Sequence, residues 1–224
     1  MTSTVVPVDT PQGPGRLFVD LADQPSAILV LGHGAGGGVG SADLELLARD
    51  LPGRGTSVAR FEQPWRTAGR KASAPPPRLD EAWFAALEWL TGQDWAQHPR
   101  IAGGRSAGAR VACRTGSKTN PAAIVCLAFP LHLPGRPQKS RLEELLAPDV
   151  PRLVLQGSKD SFGTADEVCT AIGDGSGITV VELPGVDHGF RIAKSSSFTA
   201  ADLRVTVVTE VSRFIAAVVG ITTS

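Results

Sequence analysis

Apolar residues recur along this chain in two alternating rhythms, short uninterrupted runs and longer stretches spaced by three or four. Thr4–Val8 and Arg16–Leu21 are short β-type runs. The Pro/Gly-rich segment Asp9-Thr10-Pro11-Gln12-Gly13-Pro14-Gly15 between them predicts a hairpin. Ala27–Leu31 is continuously apolar and ends at Gly32, as expected of a strand buried on both faces. Leu44, Leu47 and Leu51 then repeat at helical spacing behind Ser41, an expected N-cap, with Asp43 and Glu45 in the first turn. Thr56–Phe61 reads as a strand. Glu62–Arg78, rich in Pro, Gly and Arg, reads as a loop. Leu79–Leu90 has Trp83, Leu87 and Leu90 in helical register. The alternation continues with a strand at Ile101–Gly103 and a helix from Ala107 to about Arg114. Next come a strand at Ala122–Ala128, a short helix at Arg141–Leu146 and a strand at Arg152–Gln156. A helix at Thr164–Ile172, a strand at Ile178–Leu183 and a long helix at Ala200–Val219 complete the pattern, the last aligning Leu203, Val207, Val211 and Phe214.

A hairpin followed by strand–helix alternation predicts an α/β fold: a mostly parallel eight-stranded sheet, antiparallel at its first edge, with helices on both faces. No internal repeat or linker divides residues 1–224, so a single domain is expected.

Composition narrows the functional classes. Lys plus Arg number 22 and Asp plus Glu 22, so no basic field attracts nucleic acid or an anionic membrane. No apolar run reaches membrane-spanning length, and the opening MTSTVVPVDT lacks the pattern of a signal peptide. Cys113, Cys126 and Cys169 lack metal-ligand spacing and lie in apolar context, which predicts reduced, buried thiols and a cytoplasmic location.

The candidate chemistry gathers at the ends of predicted strands, where sites form in open α/β sheets. Gly104-Arg105-Ser106-Ala107-Gly108 fits G-x-S-x-G at a strand-to-helix junction. There a serine hydroxyl is exposed on a sharp turn, and glycines admit backbone that passes too close for a β-carbon. Three more segments follow strands: Gly32–Gly38 (GHGAGGG), Gly157-Ser158-Lys159-Asp160, and Gly185–Phe190 (GVDHGF). Ser106, Asp160 and His188 thus occur in the order Ser…Asp…His. The glycine-rich Gly32–Gly38 lacks the lysine of a phosphate-binding loop and the spacing of a dinucleotide fingerprint.

With these segments the chain resembles an α/β-hydrolase fold serine hydrolase over essentially its whole length. GHGAGGG, GGRSAGAR, LQGSKDSFG and GVDHGF carry the likeness. Ala128-Phe129-Pro130-Leu131-His132 and Pro134-Gly135-Arg136-Pro137 make it similar to the KANL/Tex-type hydrolase-like family and to dienelactone hydrolase relatives. That resemblance implies an enzyme acting on a small carboxylic ester or thioester, without metal or cofactor. Some members of the family imply instead an interaction protein with little activity, and amide bonds are open to the same triad.

A serine hydroxyl needs a base within hydrogen-bond reach, and His188 is the expected base, oriented by Asp160. Asp187 and Asp166 are weaker candidates for the acid. The resemblance implies oxyanion donors at Ala107 and Ala35, with Gly34 or Gly36 as neighbours of the latter. His33 is expected to be bonded to nearby backbone. Arg105 is expected either to hold an anionic substrate group or to pair with an acid in the site wall. Phe129, Leu131, His132 and Trp65 are expected to line an acyl pocket. Trp83, Trp89 and Trp95 read as core or helix-surface residues. From Phe129 to Pro151 there are only 23 residues, too few for a lid domain.

Overall fold

The structure, a computed structural model, describes residues 3–220. Among them eight strands form one sheet: β1 (Thr4–Val8), β2 (Gly15–Asp20), β3 (Ala27–Gly32), β4 (Thr56–Glu62), β5 (Arg100–Arg105), β6 (Ala123–Leu127), β7 (Arg152–Gly157) and β8 (Ile178–Leu183). Their order across the sheet is β1-β2-β4-β3-β5-β6-β7-β8. β2 runs antiparallel to both of its neighbours, and every later pairing is parallel. This is the α/β-hydrolase fold with an antiparallel first edge. The direction of chain travel reverses between β3 and β5, and their carboxyl ends open onto the same end of the sheet.

Seven α-helices accompany the sheet among the described residues: α1 (Ala42–Asp50), α2 (Pro64–Thr67), α3 (Pro76–Thr91), α4 (Ala107–Thr119), α5 (Leu142–Leu146), α6 (Ala165–Ile172) and α7 (Ala200–Val218). β3, β4, β6 and β7 are buried along their whole length, which explains the continuous apolar runs of β3 and β6. Two hydrophobic layers result. One face of the sheet packs Phe61, Trp83, Leu90, Ala112 and Phe129 with α3 and α4. The other packs Leu29, Leu31, Leu44, Leu47, Val207 and Val211 with α1 and α7. Trp83 is fully buried, while Trp89 and Trp95 pack half-buried against the same core.

Four local expectations are corrected. Glu62–Arg78 is not wholly loop, since it holds α2 and the first turn of α3. Its prolines do not break these helices because they stand at N-terminal positions, where the missing N–H would have no intrahelical partner. α4 continues past Arg114 to Thr119 and ends at Asn120 in the left-handed conformation (φ 43°). Ser41 occupies the N-cap position of α1, yet its side chain makes no capping bond. Cys113 and Cys126 are buried free thiols with sulfurs 3.6 Å apart, but Cys169 is exposed on α6. The Phe129–Pro151 connection holds only α5 and a small β-bridge between Leu133 and Arg136. No described helix is long and apolar enough to cross a membrane.

Candidate active site

The junction of β5 and α4 explains its glycines directly. Ser106 sits at φ 51°, ψ −106°, a strained conformation for a residue with a side chain. It is held by its own N–H donating to Leu127 O at 2.9 Å and by Arg110 N–H donating to Ser106 O at 3.1 Å. A β-carbon on Gly104 would lie 2.5 Å from Gly32 O, and one on Gly108 would lie 2.2 Å from the same oxygen. Strand end, helix start and the outgoing loop of β3 therefore meet backbone to backbone, and only glycine permits it.

The turn presents Ser106 Oγ to His188 Nε2 at 2.9 Å. The other ring nitrogen, Nδ1, lies 2.8 Å from Asp160 Oδ2. Asp160 is 1% exposed, and its second oxygen, Oδ1, accepts from Phe162 N–H at 2.8 Å. A hydrogen bond from Gln156 Nε2 also reaches Oδ2, at 3.0 Å. The Gln156 amide is aimed by three acceptors around one nitrogen: Asp160 Oδ2, Phe129 O and Gly163 O. Acceptor-rich surroundings of this kind require the NH2 group, not the oxygen, to face the carboxylate.

The loop bearing His188 is fixed in place from several sides. Gly157, at the end of β7, allows Val186 O to approach to where a β-carbon would sit only 2.1 Å away. Lys159 N–H donates to Val186 O, and Ser158 Oγ accepts from Gly185 N–H at 2.8 Å. The Phe162 ring lies on the imidazole with centroids 4.1 Å apart and planes inclined by 31°. Arg105 donates to His188 O through Nη2, pairs with Asp43 through Nη1 at 3.0 Å, and lies over the Phe190 ring. Asp187 serves the turn itself, accepting from the N–H groups of Gly189 and Arg191.

The Gly32–Gly38 loop faces the serine. Gly34 lies so close that a β-carbon there would be 3.7 Å from Ser106 Cβ. Among the described residues, the N–H groups of Ala35 and Ala107 are not taken up as donors by the protein. Both residues border the cleft that holds Ser106 and His188. His33 instead points inward. Its Nε2 accepts from Gln63 N–H at 3.1 Å, which leaves Nδ1 as the donor to Gly34 O at 2.8 Å. Burial, the largest influence, pulls its pKa below the ordinary histidine value, so the ring is a neutral structural link beside Trp65.

The cleft measures about 590 Å³ and is open to solvent. Its walls correct part of the expected acyl pocket. Phe129 is fully buried in the core, and Leu131 and Trp65 are also buried away from this cleft. His132 turns its Nδ1 to Leu133 O and its Nε2 toward Glu167, 3.5 Å away, outside the cleft. The chain leaves β6 through Ala128, which takes φ 51°. Pro130 and Phe162 supply apolar wall instead. Arg105 borders the cleft, but with Asp43 as its ion-pair partner. Sequence reading missed Phe162, Gln156 and Asp43. Phe162 had a signal, two residues beyond Asp160 in LQGSKDSFG, whereas Asp43 lies far from Arg105 along the chain.

A family model described as an alpha/beta hydrolase domain matches residues 25–216. Solved structures of similar fold include an α/β serine hydrolase without lid from Xanthomonas campestris. It is 23% identical with TM-score 0.70, and the match covers 96% of this chain and 95% of that one. An α/β serine hydrolase homologue from Coxiella burnetii is 19% identical with TM-score 0.74, covering 94% and 98%. The esterase domain of a Rhodothermus marinus protein is 15% identical with TM-score 0.70, covering 98% and 100%. At such identities the likeness is one of fold.

Proposed function

The chain belongs to the alpha/beta hydrolase domain family, and from that premise we propose that it is a serine hydrolase cleaving a small carboxylic ester or thioester through an acyl-enzyme on Ser106. The observation that carries this reading is the unbroken hydrogen-bond chain from Ser106 Oγ through the His188 ring to Asp160, with contacts of 2.9 and 2.8 Å.

In this mechanism His188 Nε2 takes the Ser106 proton as the hydroxyl attacks the substrate carbonyl. Asp160 holds the ring with Nδ1 protonated, so that Nε2 is free to accept, and stabilises the imidazolium that forms. The tetrahedral oxyanion is received by the N–H groups of Ala107 and Ala35, the first at the positive end of α4. The imidazolium passes its proton to the leaving alkoxide or thiolate, and the acyl group stays on Ser106. Water, giving its proton to the same nitrogen, then attacks the acyl carbon; the Ser106–acyl bond breaks, the imidazolium returns the proton to Ser106 Oγ, and the acid leaves.

The odd number of cysteines, without metal-ligand spacing, supports a reducing, cytoplasmic setting. The stretches Ala128-Phe129-Pro130-Leu131-His132 and Pro134-Gly135-Arg136-Pro137 support a finer kinship with the KANL/Tex-type hydrolase-like proteins and dienelactone hydrolase relatives. The test is fluorophosphonate labelling and p-nitrophenyl acetate turnover of the parent and of Ser106→Ala. Both are expected in the parent and abolished in the variant with the fold intact. Labelling that persists without Ser106 overturns the assignment, and a parent that neither labels nor turns over ester is an interaction protein on a hydrolase fold.

A further inference from the structure

Around the serine the cleft wall carries four arginines, Arg105, Arg110, Arg141 and Arg191, and a single carboxylate, Asp43. Two of these cations are already matched. Arg105 pairs with Asp43, and Arg110 gives its Nε and Nη2 edge to Glu144 at 2.7 and 2.6 Å. Arg141 and Arg191 have no carboxylate within ion-pair distance among the described residues. Arg141 spends only Nη1, on Pro130 O at 3.2 Å. Its Nε and Nη2 therefore remain as a free planar fork, the geometry that receives a carboxylate with two parallel bonds. Its charge is also poorly compensated. Burial first, and the neighbouring Arg110 cation second, hold it below the ordinary arginine range, while nearby Glu144 is shared by Arg110 and Arg114. The guanidinium of Arg191, three residues beyond His188, makes no hydrogen bond to the described residues. The nearby Asp187 carboxylate is committed through Oδ1 to the N–H groups of the turn.

We propose that the cleft selects esters bearing a second, anionic group, a carboxylate on the acyl or the alcohol portion, held by the Arg141 fork with Arg191 bordering the same cleft. This rests on the serine hydrolase reading above and adds a substrate class to it. The anion supplies the partner that Arg141 lacks, and it leaves Arg105 to its role of tying the His188 loop to Asp43. A bound carboxylate would also be drawn to the same cleft before contact, since both unmatched cations have the same sign.

The experiment compares matched pairs of substrates by kcat/KM at low ionic strength. p-Nitrophenyl hemiadipate against p-nitrophenyl heptanoate places the charge on the acyl side. 4-Acetoxybenzoate against its methyl ester places it on the alcohol side. The parent is expected to favour the anionic member of at least one pair by about tenfold or more, the scale of a charge-assisted hydrogen bond. The ratio is expected to shrink in 0.5 M salt (roughly a 4 Å screening length) and to collapse in the Arg141→Gln/Arg191→Gln double variant. Arg141→Lys, which keeps the charge but not the fork, is expected to restore only part of it. A merely structural role would lower both members together and leave the ratio unmoved. Ser106-dependent turnover of the neutral esters with no anionic preference, or a preference that survives the double variant, overturns this inference and leaves the hydrolase reading standing. Absence of turnover on every ester overturns both.

Discussion

Gly108→Ala is a substitution that ordinary helix reasoning recommends and this structure forbids. Gly108 is the second residue of α4, where replacing glycine by alanine normally stabilises a helix by up to about 1 kcal/mol. Here the new methyl would stand 2.2 Å from Gly32 O, 2.4 Å from Gly32 C and 2.9 Å from Gly32 Cα. Contacts between such atoms settle near 3.5 Å, so α4 and the end of β3 would have to part by about 1 Å. Both partners are backbone, and no rotamer change can absorb the shift. Overpacking of this kind costs about 1–3 kcal/mol, which cancels a propensity gain of up to about 1 kcal/mol and leaves a net loss of up to about 2 kcal/mol. The displaced Gly32 leads straight into Gly34 and Ala35, opposite Ser106. A misplacement of about 1 Å at reacting groups can cost about a hundredfold in rate. Urea unfolding gives the first quantity and turnover of p-nitrophenyl acetate the second. Gly53→Ala is the matched control, because Gly53 has an ordinary backbone angle and nothing within 4 Å of the added carbon. It is expected to stabilise by about 0.4–1 kcal/mol through the unfolded chain. A Gly108→Ala protein as stable and as active as the parent would refute the close-approach argument.

Three further outcomes are expected. Asp160→Asn offers an N–H to the His188 nitrogen it faces, favouring the wrong tautomer, and kcat for a p-nitrophenyl ester is expected to fall by about ten-thousandfold; the same amide nitrogen leaves buried Gln156 Nε2 without an acceptor there, so unfolding free energy is expected to drop by about 1–3 kcal/mol. Burial holds the folded pKa of His33 below the ordinary histidine value of 6.5, so the unfolded chain binds its proton first. Its contribution to stability is whole above pH 6.5 and declines as the pH falls from there toward the depressed folded value; denaturant midpoints measured over that window should show a slope that is reduced in His33→Gln, and an equal slope in the variant would assign it elsewhere. With only α5 between Phe129 and Pro151, few methylenes of a long acyl chain can be covered; p-nitrophenyl esters from acetyl to palmitoyl are expected to show no steady rise in kcat/KM and no jump above the micelle concentration.

The elements and the three residues in hydrogen-bond line were legible in the sequence because each obeys a local rule. Buried parallel strands announce themselves as apolar runs such as Ile28–Leu31, and a serine on a forced turn needs glycines within reach of crossing backbone. The side-chain lining of the cleft was not legible, because it depends on how the connection after β6 leaves the sheet. Ala128 carries no sign of its positive φ, and beyond it Phe129 lies in the core and His132 near Glu167. Arg105 illustrates a second limit. Its neighbour Ser106 suggests substrate, whereas its partners, Asp43 and the carbonyl of His188, come from segments that only the folded sheet brings together. The prolines before Leu79 show a third. Read as breakers, they in fact begin α3, because a helix start has spare N–H groups and tolerates a residue that lacks one.

The bracing of the His188 loop also bears on time. Phe162 lies on the ring, Arg105 grips the carbonyl, and Val186 O is seated against Gly157. A loop held at three points is braced against opening, and among the described residues no segment covers the cleft. On the proposed mechanism the clock of the enzyme is therefore set by the making and breaking of bonds at Ser106, not by waiting for the protein to close. Turnover of short esters would be insensitive to added viscosity, and the first and the thousandth cycle would meet the same geometry.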